Sequence, residues 1–463
     1  MTSLGAATSF AGRRVLVVGL GRFGGGLGVT QWLVHEGARV TVTDQARAES
    51  LRESISALDG LSVQLHLGGH DVHDLDDTDL VVINPAVDKT RSEFFEQIVR
   101  RRIAWTTEMN VFCERCPAPV IGVTGTYGKS TTCAMLAEAL SACRGMRGAG
   151  YRKVHLGGNI GRSLLMDLPS ILADDLVVLE MSNSQLEDIP RIAWSPRVAV
   201  ITNLWPHHLD RHGTFAAYVA AKLNLVTSPG RLQAMIVGDM HPEAESFVAT
   251  MSSPRGELHA MPLTVIRVTV PGGSLDLLVP GKHNQANAAC VLTVCKAMGL
   301  DETIARNALR SFRGLPHRLQ HVRTLDGVDY VNDSKSTSPS ATMTALESLT
   351  RPIVAIVGGQ RKDVPLAECA AALHRSCRAV FCMGQSGPDF AEALRDLNVA
   401  EGGPSVEEVA GLEEAIRSAH VRARRGDNVL FSPGAPSFDA YGNFTQRGDH
   451  FVRLVHELTS SRS

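Results

Sequence analysis

The residues best suited to chemistry lie in Val120–Thr132, VIGVTGTYGKSTT. Gly125 and Gly128 give a tight loop, Lys129 a cation, and Ser130 and Thr131 hydroxyls. With a β-branched strand before it and a helix after it, such a loop cradles nucleotide phosphates. Its N–H groups and the helix N-terminus can point at phosphate oxygens. Lys129 would reach the β/γ-phosphates, and the Ser130 hydroxyl would take Mg2+. The spacing is a variant: the residue five before Gly128 is Val123, and the glycines fall at 122 and 125. A plain glycine turn capping a helix is the bland alternative.

Two apolar runs end in further chemical groups. Leu176–Glu180 closes on a carboxylate, and Val198–Asn203 runs into Trp205-Pro206-His207-His208. Open α/β sheets bind ligands beyond the carboxyl ends of their strands. One sheet would therefore gather the phosphate loop, Glu180 and His208 as an Mg-nucleotide site. Lys222 falls on the apolar stripe of a helix, Phe215–Val226, that Thr214 caps; Phe215, Tyr218, Val219, Leu225 and Val226 share that stripe. A buried lysine needs a partner or loses its charge, unless it snorkels to the rim. Asn284 and Asn287, one helical turn apart, suit either a base edge or a loop lock.

A second glycine loop, Gly19-x-Gly21-x-x-Gly24, follows the apolar run that starts at Arg14. A helix through Val29, Trp32 and Leu33 comes next, then Arg39–Asp44, whose acid lies 20 residues beyond Gly24. Alone, this fingerprint reads as a dinucleotide site and a nicotinamide-dependent oxidoreductase. That reading leaves Lys129, Glu180 and His208 unexplained. A nucleotide-binding switch that makes no bond between substrates is another alternative.

The elements that must position these groups alternate strand and helix throughout, so the fold class is α/β. Three domains are expected: a Rossmann-like one over 1–107, a central P-loop ATPase-type one over 108–314, and a doubly wound Rossmann-like one over 315–463. In the last, strands at 328–332, 352–358, 378–383 and 428–432 alternate with helices. Apolar residues make up 44% of the 463 and charged residues 20%, as in an ordinary globular protein. A net charge of −2 gives no electrostatic footprint for nucleic acid or an anionic membrane. No apolar run reaches membrane-spanning length and no signal peptide is visible. The nine scattered cysteines suit free thiols in a cytoplasmic protein; Cys113 and Cys116 form a lone pair without a partner motif.

In order along nearly the whole chain stand TGTYGKSTT, GGNIG (157–161), LEMSNSQLE, NLWPHHLDRHGTF, YVAAK, GKHNQANAA, GLPHR, NDSKST and SPGAPSFDAYGNFTQRG. On these motifs the chain resembles the Mur ligase family. Within that family it most resembles the branch that adds D-glutamate to UDP-N-acetylmuramoyl-L-alanine. That choice rests on NDSK, the Gly-Gly-x-x-Lys of Gly358–Lys362 and the closing SFDAYGNFTQRG; an Asp-Asn-Pro-Arg motif, the mark of a diaminopimelate- or lysine-adding relative, is absent from the sequence. The resemblance implies three domains, with a UDP-sugar rather than NAD on the first. It implies ATP-driven amide formation through an acyl phosphate, with two Mg2+ ions, in a monomer.

The resemblance also implies roles. Lys129, His208 and Lys222 would be catalytic. Gly125, Thr126, Gly128, Lys129, Ser130, Thr131, Asn284, Asn287, Arg318 and Asp333 would bind ATP. Gly21, Arg22, Phe23, Asp44 and Asn159 would bind the UDP-sugar. Thr337, Lys362, Ser437 and Phe444 would bind D-glutamate, with Lys335 at the domain junction. Ser130, Glu180, His208 and Lys222, the last carbamylated by CO2, would hold the metals. The chain departs from the family pattern at Arg22-Phe23, Ala86, Tyr127 and Asn183-Ser184. Another Mur-type ligase with a different amino acid acceptor, or a folylpolyglutamate synthase, is the runner-up within the superfamily; GGNIG and the C-terminal motifs argue against the synthase.

Overall fold

The protein is described here by a computed structural model covering residues 9–21, 25–146, 148–160, 163–227, 232–251, 264–269, 275–397 and 403–460. Arg22, Phe23, Gly24 and Gly161 lie outside the described residues. The chain divides into two compact units: Met1–Pro271 with Ala286–Ala308, and Gly272–Gln285 with Leu309–Ser463.

The first unit holds two all-parallel sheets. One comprises β1 (Arg14–Val18), β2 (Arg39–Asp44), β3 (Val63–Leu67), β4 (Leu80–Ile83) and β5 (Trp105–Thr106), in the order β3-β2-β1-β4-β5. The other comprises β6 (Val120–Thr124), β7 (Val154–Gly158), β8 (Leu176–Glu180), β9 (Val198–Leu204), β10 (Ala234–Met240) and β11 (Thr264–Arg267), in the order β11-β10-β9-β6-β8-β7. Helices cover such strands on both faces, so their sequences read as continuous apolar runs rather than alternations. Val120–Thr124 and Leu176–Glu180 are buried at every position. In each sheet the strand before a glycine loop, β1 or β6, sits between neighbours reached by crossovers in opposite directions. That is where a crevice opens above a parallel sheet.

The second unit holds β12 (Gln320–Leu325), β13 (Val328–Asn332), β14 (Ile353–Val357), β15 (Cys377–Cys382), β16 (Ser405–Glu408) and β17 (Asn428–Phe431), in the order β12-β13-β17-β14-β15-β16. All pairs are parallel except β12 with β13. Apolar patterning starts this sheet at 328 and misses its antiparallel edge. The signal is nonetheless present: Asp326 and Gly327 both have positive φ, 52° and 75°, and join Leu325 to paired Val328. An Asp-Gly dipeptide between apolar residues is a strong two-residue hairpin mark.

Among the described residues no helix is long and apolar enough to cross a membrane. All nine cysteines are free.

Candidate active site

Strand register brings the phosphate loop and the carboxylate together. Val123 of β6 pairs with Glu180 of β8, and Thr124 pairs with Ile201 of β9. The loop after β6 is clamped from the end of β9. Thr126 N–H donates to Asn203 O at 3.0 Å, and Tyr127 N–H to Asn203 Oδ1 at 2.9 Å. Thr202 Oγ1 and Asn203 Nδ2 both donate to Tyr127 O, at 2.7 and 3.0 Å. The Thr126 hydroxyl accepts from Trp205 N–H at 3.0 Å. In sequence Thr202 and Asn203 read only as the end of a strand, yet they fix the loop's shape. Tyr127, one of the departures, is 57% exposed and its ring meets His207 edge-on at 5.5 Å.

Gly128 ends the loop with φ +78°, a left-handed conformation, and opens the Lys129–Cys143 helix. A methyl group on Gly128 would collide with the Asn287 side-chain amide, so Asn287 packs directly against the loop. Asn287 is 4% exposed. Asn284 lies in the other unit and donates from Nδ2 to Pro280 O at 2.6 Å. Lys129 Nζ donates to Gly125 O and Thr126 O, each at 3.0 Å, which holds the ammonium inside the loop. Ser130 and Thr131 are half-buried in the first turn of the helix.

Glu180 is 1% exposed. Its Oε1 accepts from Asn159 Nδ2 at 2.8 Å, and its main-chain oxygen accepts from Asn159 N–H at 2.9 Å. Its Oε2 is buried and unpaired. A buried unpaired carboxylate oxygen costs stability unless a cation or donor fills it. That oxygen, with the Ser130 hydroxyl, fits a hard cation such as Mg2+, which prefers oxygen ligands and keeps several waters. Among the described residues no cluster of three or more His, Cys, Asp or Glu side chains is poised for a metal. A site completed by nucleotide phosphates needs none.

Lys222 is 1% exposed on the Phe215–Thr227 helix, with the apolar stripe buried around it. Its Nζ donates to Thr124 Oγ1 at 3.4 Å and lies 5.0 Å from the Tyr218 ring centroid. Burial, followed by repulsion from Lys129, pushes its pKa well below the ordinary lysine range, and Glu180 opposes the shift. Lys129, Glu180 and Lys222 thus form one electrostatic group. His208 is exposed, with a left-handed backbone at φ 52°.

A cavity of about 390 Å³ opens between the carboxyl ends of the first unit's two sheets. Gly21, Asn84, Ala86, Glu108, Asn159 and His208 are among its lining residues. Asn183 and Ser184 line it too, so three of the departing residues sit in its wall. Asp44 ends β2 beside it: Oδ2 accepts from Gly21 N–H at 3.1 Å and Oδ1 from Ala46 N–H at 2.8 Å. Here the fingerprint acid closes its own glycine turn.

The second unit carries the remaining residues. Asp333 is 4% exposed, and burial raises its pKa to about 6. Its Oδ2 accepts from Ser336 Oγ at 2.5 Å and Ser432 Oγ at 2.9 Å, and its Oδ1 from Leu319 N–H at 3.1 Å. In this state Asp333 locks the strand-end loops together. Arg318 is half-buried, and its charge acts on Asp333. Thr337, Lys335 and Lys362 are exposed, Phe444 is half-buried and Ser437 is 2% exposed. Lys335 Nζ lies 5.8 Å from the Phe444 ring centroid.

Three family models match: Mur ligase MurD-like, N-terminal domain, over residues 13–103; Mur ligase middle domain, over 123–295; and Mur ligase, glutamate ligase domain, over 317–434. A UDP-N-acetylmuramoylalanine--D-glutamate ligase of Symbiobacterium thermophilum is 36% identical, the match covering 96% of this chain and 98% of the relative. The enzyme of that name from a Roseiflexus species is also 36% identical, over 97% and 99% of the two chains. The chain belongs to the Mur ligase family.

The fold agrees with this membership. The crystal structure of a UDP-N-acetylmuramate-alanine ligase from Thermotoga maritima aligns with a TM-score of 0.56 at 20% identity, covering 96% of this chain and 99% of that one. MurF from Acinetobacter baumannii aligns with a TM-score of 0.52 at 15% identity, covering 98% and 92%. At such identities the likeness speaks for the fold alone. As a Mur ligase the chain is an ATP-dependent ligase, and the oxidoreductase reading of its first glycine loop lapses.

Proposed function

We infer that this Mur ligase joins D-glutamate to UDP-N-acetylmuramoyl-L-alanine with ATP, in peptidoglycan precursor synthesis. The observation that carries the reading is the position of Asn159. It holds Glu180 beside the phosphate loop and also lines the 390 Å³ cavity. A phosphoryl donor on the loop and an acceptor in the cavity would share that one residue. The full-length relatives supply the names of both substrates.

In this reading the first 107 residues hold the UDP-sugar through Gly21 and Asp44, and through Arg22 and Phe23, which lie outside the described residues; Asn159 adds a contact from the central domain. Residues 108–314 bind ATP and 315–463 the amino acid. Lys129 and the N–H groups at the start of the Lys129–Cys143 helix hold the ATP phosphates, with Asn284 and Asn287 toward the adenine, and Arg318 and Asp333 toward phosphate and ribose. The substrate's carboxylate oxygen attacks the γ-phosphorus, ADP leaves, and an acyl phosphate forms. The D-glutamate amine then adds to the acyl carbon, and phosphate departs from the tetrahedral adduct. The protein's part is positioning and charge complementarity. Ser130, Glu180, His208 and a carbamylated Lys222 would hold two Mg2+ ions, which when bound supply positive charge to the transferring phosphoryl oxygens. The reading carries a cytoplasmic, monomeric enzyme.

Mass spectrometry of the product from UDP-N-acetylmuramoyl-L-alanine, ATP and each glutamate enantiomer is the test. The expected result is one added glutamyl residue with D-glutamate. Product formation with a different amino acid only would place the chain elsewhere in the family.

Thr337, Lys362, Ser437 and Phe444 are proposed to receive D-glutamate. Lys362 is exposed and follows Gly358-Gly359 at the end of β14, as a carboxylate-binding cation should. Replacing it with alanine is expected to raise KM for glutamate about 10-fold or more, the worth of one charge-assisted bond. KM for ATP should stay within about twofold, since the change leaves uniform ATP binding intact. Equal rises in both constants would remove Lys362 from the amino acid site.

A further inference from the structure

Glu108 is a carboxylic acid in the wall of the cavity, and none of the roles above uses it. It opens the Glu108–Arg115 helix, behind the N-cap Thr107, and is 9% exposed. Among the described residues its carboxyl has one hydrogen-bond partner, Ser163, whose Oγ–H donates to Oε1 at 2.5 Å. Ser163 Oγ in turn accepts from Leu165 N–H at 3.2 Å. Gly28, on the Gly25–His35 helix, comes so near Ser163 that a methyl group there would collide with the Ser163 side chain. Both Glu108 and Ser163 line the cavity.

The direction of this chain matters. A backbone N–H feeds the Ser163 hydroxyl, which feeds Oε1. With Oε1 accepting, Oε2 is the oxygen left to carry a proton. Burial raises the Glu108 pKa to about 7, the Ser163 bond working against the shift. Among the described residues the ionisable groups around it are few. Cys113 lies on its own helix, and burial pushes that thiol well above its usual value. Glu114 and Arg115 end the same helix. Asp167 lies on the Leu165–Ser170 turn packed against it, His35 ends the Gly25–His35 helix, and His208 lines the cavity with it. No described lysine or arginine contributes to the Glu108 shift. Among the described residues no lysine or arginine offsets an ionised Glu108 facing an anionic ligand, whereas a neutral Glu108 offers it a donor.

We propose that Glu108 binds the sugar nucleotide as a neutral carboxylic acid, donating its Oε2–H to a phosphate or sugar oxygen. The proposal rests on the reading of the cavity as the UDP-sugar site. Its sign is fixed. Below about pH 7 the acid is protonated and the ligand is held; as pH rises past that point Glu108 ionises, the donor is lost and repulsion replaces it.

Calorimetry of UDP-N-acetylmuramoyl-L-alanine binding without ATP, between about pH 6 and pH 8.5, reads this directly, because the ligand's carboxylate and diphosphate stay ionised there. In the wild type, affinity should fall about 10-fold across the window, one charge-assisted hydrogen bond's worth. Glu108→Gln keeps both the acceptor for Ser163 and an N–H donor. It should bind with wild-type affinity at the acid end and show no fall. Ser163→Ala removes the bond that lowers the Glu108 pKa, so the fall should move to higher pH. Thermal melts confirm that each variant is folded, and the two variants report independently should one fail. A Glu108→Gln profile that still falls, or a wild-type affinity that is flat or rises with pH, overturns the proposal alone. Absence of any wild-type binding overturns the UDP-sugar reading, and the proposal with it.

Discussion

Lys129→Ala is expected to lower kcat by about 10²-fold or more, the usual loss when a group stabilising transition-state charge is removed. The ammonium stands inside the phosphate loop on two neutral carbonyls, those of Gly125 and Thr126. A phosphate oxygen brings a negative charge to the ammonium that a neutral carbonyl lacks, so a nucleotide bound as proposed would draw Lys129 out of this resting arrangement. The residue is half-buried at the surface of the loop, so the melting temperature should move little, as for most substitutions away from the core. The loss has a second source. Lys129 is one cause of the lowered pKa of Lys222. Without it the Lys222 amine holds its proton more firmly, so two groups of the site fail together. Steady-state turnover beside a thermal melt checks both points. A folded variant retaining more than about a tenth of the wild-type rate would refute this role, because a transition-state contact cannot be worth so little.

The parts of this architecture written in short-range pattern are legible in the amino-acid sequence alone. β6, β8 and β9 are mostly apolar runs rich in β-branched residues: β6 stops before Gly125, β8 ends on Glu180, and the apolar part of β9 gives way to Thr202-Asn203. Thr214 caps its helix as the pattern indicates, accepting from Ala217 N–H at 3.1 Å. The burial of Lys222 follows from its place on the stripe. What depends on partners distant in sequence is not legible there. Glu180 reads as a strand end, and only β7, arriving alongside β8, shows that Asn159 takes one carboxylate oxygen and leaves the other unpaired. The Glu108–Ser163 bond spans 55 positions and leaves no periodic trace.

Arg447 makes the same point in the second unit. It stands within the FTQRG motif, yet nothing in the motif says that its guanidinium is fully buried and bonded to main-chain and hydroxyl oxygens. It donates from Nε and NH2 to Ser334 Oγ and O, at 3.1 and 2.9 Å, and from NH1 to Ala435 O and Pro436 O, at 3.0 and 3.1 Å. Burial lowers its pKa to about 10. Five donors in a rigid fork let one arginine satisfy several carbonyls at once. It thereby ties NDSK to SPGAPS, two motifs that stand far apart along the chain.

Lys222→Ala should remove most of the activity, and a small carboxylate such as acetate at high concentration should restore part of it. Charge is the reason. Lys222 is buried beside Lys129 and within reach of the Glu180 field. A protonated amine there would repel any cation held by the unpaired Glu180 oxygen. Its pKa is lowered well below the usual lysine range, chiefly by burial, which favours the neutral amine. A neutral amine adds to CO2: a nitrogen–carbon bond forms, one proton leaves, and the residue becomes a carbamate of charge −1. That change supplies two oxygens of the kind Mg2+ prefers. Thr124 Oγ1, 3.4 Å from Nζ, is placed to orient the group. Lys222→Arg should stay inactive with or without acetate, because a guanidinium keeps its proton and its positive charge. A plain structural lysine predicts otherwise: arginine would partly substitute, and acetate would do nothing. High-resolution density of the active enzyme, grown with bicarbonate, should show three extra non-hydrogen atoms on Nζ; a bare ammonium in that crystal would end the idea.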